Sequence, residues 1–173
     1  MSPTSAMATA AGLLAGLSVP LTSALDVPTW LVFLAWSTYF FCGTGTAALR
    51  AQFATNSWGI LLGAATFAII VHFEASTWGS AAVVAVAAFC VAQSGRIPVF
   101  SAAPGLFIGF AMIAAAVQVA DVSITAISWD NPLVLALWTV VLGSVFAVVT
   151  EFIANTLASD DQDHAAPEMA SEP

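Results

Sequence analysis

Apolar residues run in six long stretches, at 5–25, 29–49, 55–73, 77–94, 100–120 and 132–156. A bilayer's hydrocarbon core takes about 20 helical residues, so each stretch predicts one membrane-spanning helix. Helix-breaking segments separate them. Asp26-Val27-Pro28-Thr29 divides the first two, and Arg96-Ile97-Pro98 ends the fourth, because the residue before a proline is pushed out of helical conformation. Segment 51–57, with polar Gln52, Thr55, Asn56 and Ser57, reads as the loop between the second and third helices. Asn131-Pro132 supplies a cap followed by proline at the first helical position. The predicted fold is all-α, a polytopic transmembrane bundle of six helices.

The polar punctuation repeats. Gly12-x3-Gly16, Asp26-x3-Trp30, Cys42 and Arg50 are followed by Gly59-x3-Gly63, Glu74-x3-Trp78, Cys90 and Arg96. A looser third copy opens at Gly105-x3-Gly109. Three parallel two-helix hairpins follow from this plan, related by an axis along the membrane normal. Small residues let helix backbones approach closely in lipid. Gly12, Gly16, Gly59, Gly63, Gly105 and Gly109 are therefore the expected packing positions, within the chain or in a homo-oligomer. The seam between the odd helices either encloses a solute path or is a dry contact; the pattern leaves both open.

Composition sets the solvent. With 60% hydrophobic and 7% charged residues, the chain has too little charge to cover a soluble domain. Its net charge of −8 is concentrated near the end, in Asp160, Asp161, Asp163, Glu168 and Glu172. This divides the chain into a membrane domain, 1–157, and an acidic tail, 158–173, expected to be disordered and cytoplasmic. There is no lysine, and the two arginines make no basic patch, so nucleic acid is excluded as a partner. Arg50 and Arg96 each follow an even-numbered predicted helix. Cytoplasmic loops collect such charges. Both termini are thereby expected in the cytoplasm, and the protein in the cytoplasmic (inner) membrane of a bacterium or archaeon. Trp30, Trp78 and Trp129 fall at the outer boundary and Trp58 near the inner one, where amphipathic rings settle.

Candidate chemistry is sparse. His72 and Glu74 suggest a pH-responsive outer gate, but residues two apart do not share a helix face, so no metal site is expected. No nucleophile–base pair or phosphate-binding loop is present, and neither an enzyme nor a bound cofactor is expected. Tyr39, Gln93 and Gln118 are the hydrogen-bonding candidates for a pore, and Glu151 is the one acid well inside a predicted span. Cys42, Gly43 and Gly45 mark an irregular spot. The second helix is expected to continue to Leu49, the alternative being a break after Phe41. These features favour a small channel or facilitator for a neutral or weakly charged solute. The rival is a non-transporting scaffold or the membrane subunit of a larger complex.

The segments Trp30-Leu-Val-Phe-Leu, Tyr39-Phe40-Phe41-Cys42 and Ala103-Pro104-Gly105-Leu106-Phe107-Ile108-Gly109 resemble the DUF1097 family of small bacterial inner-membrane proteins, over residues 12–154. Members commonly have Cys-Pro after the Tyr-Phe motif, where this chain has Cys42-Gly43. The resemblance implies membrane location and fold, and it carries no catalytic or binding residues across.

Overall fold

The computed structural model describes residues 1–165, with side chains to residue 158. Six helices follow in order: α1 (Pro3–Ala24), α2 (Thr29–Phe41), α3 (Gly45–His72), α4 (Thr77–Ser94), α5 (Ala103–Val119) and α6 (Pro132–Ala165), with a 3-10 turn at Pro98–Phe100 before α5. No strand occurs among the described residues. Four helices, α1, α3, α4 and α6 as far as Ala158, are long and apolar enough to cross a membrane. At 13 and 17 residues, α2 and α5 are shorter than the usual span.

The second helix ends early. The chain leaves helical conformation after Phe41 and re-enters at Gly45, so the expected continuation to Leu49 is replaced by the break. Gly43 (φ 113°) and Gly45 (φ 71°) cause it, since a side chain is strained at such angles and glycine is not. The third helix then absorbs the loop expected at 51–57. Gln52, Thr55 and Asn56 are fully buried on α3 instead of facing water. The last helix also overruns its expected boundary at 157 and continues to Ala165. Glu168, Glu172 and the rest of the expected disordered tail lie outside the described residues.

The two outer turns expected from the repeat share one geometry. After α1, Asp26 adopts φ 53° and the Val27 N–H reaches back to the Thr22 carbonyl at 2.9 Å. After α3, Glu74 adopts φ 45° and the Ala75 N–H reaches the Ile70 carbonyl at 3.1 Å. Both are left-handed caps that satisfy helix-terminal carbonyls. The third copy departs from this plan. Between α5 and α6 lies a longer loop, tied down by Asn131. Its side-chain amide donates to Ile124 O and Ala126 O, while its Oδ1 accepts the Leu133 N–H at 2.8 Å, capping α6.

The chain divides into two units. In the first, Met1–Thr29 with Val145–Pro173, α1 buries every fourth residue: Ala6, Ala10, Leu14, Ser18 and Thr22. The later part of α6 buries Phe146, Ala147, Thr150 and Ala154. In the second unit, Trp30–Ser144, the core joins α2 (Leu31, Ala35), α3 (Ile60, Ala64), α5 (Met112, Ile113, Ala116) and the start of α6 (Ala136, Val140).

The polarity is inverted relative to a soluble protein. Trp78, Phe89, Leu13 and Phe152 are exposed, whereas Thr38, Gln52, Asn56 and Thr139 are buried. An apolar exterior suits lipid, and the chain is a membrane protein.

Candidate functional site

The tightest contact in the second unit is the crossing of α3 and α5, and glycines make it. A methyl group at Gly59 would stand against the Leu106 carbonyl and 2.9 Å from the Phe110 nitrogen; one at Gly109 would meet the Asn56 backbone. At Gly63 it would strike Ile113, and at Gly105 the Thr55 hydroxyl. Gly143 similarly brings α6 onto α2, where a Cβ would lie 2.7 Å from the Val32 carbonyl. Gly12 and Gly16 differ. They are exposed, have nothing within 4 Å, and lie two residues out of register with the buried stripe of α1. Residues two apart face nearly opposite ways on a helix, so α1 packs with Ala6 and Ala10, and its glycine pair meets no neighbour among the described residues.

Next to the α3–α5 crossing lie several buried polar side chains. Most are hydroxyls that bond back to their own helix: Thr38 to Leu34 O, Thr55 to Ala51 O and Thr66 to Leu62 O. This local bonding costs little in lipid because no outside partner is needed. The two buried amides of α3 do not do the same. Gln52 Nε2 donates across to the Ala35 carbonyl of α2 at 2.9 Å. Its Oε1, and both Oδ1 and Nδ2 of Asn56, are buried without a partner among the described residues. Leaving a buried polar group unmatched costs about 1–3 kcal/mol each. Gln52 and Asn56 are four residues apart and so share one face of α3. Asn56 lies about 16 Å along the axis from Gly45. Sequence reasoning missed this pair because a polar cluster between apolar runs reads as a loop; the signal that could have found it is the i, i+4 spacing itself.

The break between α2 and α3 sits at the start of the same helix. Tyr39 is buried, and its hydroxyl accepts the Gly45 N–H at 2.9 Å, holding the two sides of the break together. Gly43 and Gly45 are exposed. Cys42 is half-buried in the turn, outside the helices, and burial pushes its thiol pKa up.

The other candidates do not gather here. Gln93 is half-buried near the end of α4, and Gln118 is exposed with its amide on the Ala114 carbonyl of its own helix. His72, T-stacked on Phe73, and Glu74 lie exposed at the far end of α3. Glu151 is half-buried on the later part of α6, in the first unit. Arg50 is exposed on α3 and Arg96 just beyond α4. No group of three His, Cys, Asp or Glu suited to a metal occurs among the described residues. Trp58 does more than sit at an interface. Its Nε1 donates to Ser94 Oγ at 2.9 Å and its ring stacks on Phe100 at 5.2 Å, fastening α3 to α4 and to the 3-10 turn.

A family described as "Protein of unknown function (DUF1097)" matches residues 8–155, most of the chain. The protein belongs to the DUF1097 family. No curated protein and no solved structure matches it. In this DUF1097 chain the matched region holds all six helices in whole or large part, and with them the Gln52–Asn56 face.

Proposed function

We propose that this membrane protein is a small facilitator for a neutral solute, with Gln52 and Asn56 as its polar station. One observation carries the reading: in an apolar core, two fully buried amides on one helix face keep three hydrogen-bonding atoms unmatched. In lipid nothing around a helix offsets that cost, and such residues are functional candidates by default. Two short helices, α2 and α5, flank this face, and interrupted or short helices are a recurrent feature of solute sites in membranes. Arg50 and Arg96 favour cytoplasmic termini in the cytoplasmic membrane. Arg50 then marks the inner interface, putting Asn56 about 9 Å farther into the bilayer and the α2–α3 break at the aqueous edge.

The test is flux through proteoliposomes measured against empty vesicles for water, urea, polyols and monovalent ions. Selective passage of a neutral solute supports the reading; permeability equal to empty vesicles throughout removes it. A second reading, the membrane subunit or scaffold of an assembly, is favoured by the exposed Gly12–Gly16 face of α1. Isolation with a stoichiometric partner and no solute flux supports that alternative.

A further inference from the structure

The unmatched atoms define what they can recognise. Gln52 Oε1 and Asn56 Oδ1 are acceptors, and Asn56 Nδ2 is a donor. Gln52 Nε2 is committed to the Ala35 carbonyl, which fixes the side of the amide that its oxygen presents. A matching molecule must donate at least twice and accept at least once.

Charge narrows the class. Among the described residues, the carboxylates of this unit are Glu74, Asp121 and Asp130, all in exposed turns, so none stands by to balance a cation. Two carbonyl oxygens alone are a poor substitute for the six or more that a hard cation takes. An anion fares no better. Arg50, two residues from Gln52, is exposed while Gln52 is buried, so the two point apart. An unpaired charge buried there would be strongly disfavoured. The occupant is neutral.

Size narrows it further. The backbones of α3 and α5 touch where Gly109 meets the Asn56 backbone and Gly59 the Leu106 carbonyl, so this close crossing favours a small occupant. Urea and the short carboxamides combine small size, two N–H donors on one edge and a carbonyl acceptor on the other. Simple monohydric alcohols donate only once.

We infer that Gln52 and Asn56 form a recognition site for a compact neutral molecule of the urea or short-carboxamide class. This names the substrate of the facilitator proposed above, and its transport arm rests on that reading. Two N–H groups of the solute meet the two side-chain carbonyls, while its own carbonyl accepts from Asn56 Nδ2. Water shares this donor–acceptor chemistry and is the competing source.

The experiment has two arms so that site and transport fail separately. In the first, saturation-transfer NMR reads the contact of acetamide with the purified full chain in detergent, with N,N-dimethylacetamide, which has no N–H, as the mismatched probe. In the second, stopped-flow light scattering of proteoliposomes reads urea and acetamide permeability beside osmotic water permeability. Both arms compare the native chain with Asn56→Leu and with the near-isosteric Gln52→Met; Asn56→Leu loses no protein hydrogen bond. The expected result is an acetamide signal absent with the dimethyl probe, and at least a tenfold loss of signal and of solute flux in either variant that folds.

Binding that depends on Asn56 without any flux upholds the site and overturns the transport reading. Solute flux unchanged in both folded variants overturns the site and leaves the transport reading standing. Asn56-dependent passage of water alone, with no acetamide signal, overturns the amide assignment in favour of water.

Discussion

Replacing Gly59 by alanine sets a methyl group against the Leu106 carbonyl, 2.9 Å from the Phe110 nitrogen and 3.0 Å from the Leu106 carbonyl carbon. Ordinary contacts between such atoms need about 3.5 Å or more, and the obstructing atoms are backbone, which has no rotamer to change. The α3 and α5 axes must therefore separate by on the order of 1 Å at the crossing. Such a gap forfeits roughly a quarter to a half of each contact's dispersion energy, and the affected neighbours include Ile60, Leu106 and Ile113. Overpacking of this kind costs about 1–3 kcal/mol, here at the upper end. Alanine's better helix propensity returns about 1 kcal/mol, leaving a net loss of ~2 kcal/mol, roughly 30-fold in the unfolding equilibrium. Gly12→Ala has only the favourable term, because nothing lies within 4 Å of it. The two variants should thus differ by about 3 kcal/mol. Titrating each with sodium dodecyl sulfate in mixed micelles, and following helix content, measures the difference. If Gly59→Ala unfolds at the same denaturant fraction as Gly12→Ala, the close backbone crossing is wrong.

Other substitutions probe other joints. Tyr39→Phe removes the acceptor for the Gly45 N–H and should cost about 1 kcal/mol in the same titration. Gly43→Ala forces a side chain to φ 113° and should cost about 1–3 kcal/mol, with Gly79→Ala, whose Cβ meets only ordinary contacts, as the tolerated control. Asn131→Asp keeps the Leu133 cap but loses both donations to the loop, so protease cleavage between α5 and α6 should accelerate, and cleavage at the native rate would refute the tie. In a Cys90→Ser background, Cys42 should react slowly with maleimide near neutral pH. Burial raises its thiol pKa, so the reactive thiolate forms only at higher pH, and the rate should still be climbing above the ordinary thiol range; a plateau below about pH 8.5 contradicts this.

Helix number and class were readable because apolar length dominates everything else in a membrane chain. The paired turns at Asp26 and Glu74 were readable for a different reason: an acid four residues before a tryptophan recurs where the helices reverse. The α2–α3 boundary was readable only as an alternative, a break after Phe41 set beside the preferred continuation to Leu49. Apolar run length carries no information about φ, and Cys42-Gly43-Thr44-Gly45 is compatible with helix until the two left-handed glycines are seen. That one displaced break hid the site. With the loop placed at 51–57, Gln52 and Asn56 looked solvated, although as members of α3 they are among its most buried residues. The glycine motifs show the complementary limit. The same spacing packs tightly at Gly59–Gly63 and Gly105–Gly109 and stands open at Gly12–Gly16, because spacing reveals a smooth face and not the neighbour that covers it.

If Asn56 serves recognition and not folding, its removal must leave the fold intact. The direct test is the unfolding equilibrium of Asn56→Ala in detergent, without added solute. The side-chain amide has no partner to lose among the described residues, and its removal relieves unmatched polar atoms worth about 1–3 kcal/mol each. The variant should be at least as stable as the native chain. A loss of about 2 kcal/mol or more, the size expected when a satisfied buried group is removed, would show that the amide holds the fold together and is not held in reserve for a ligand.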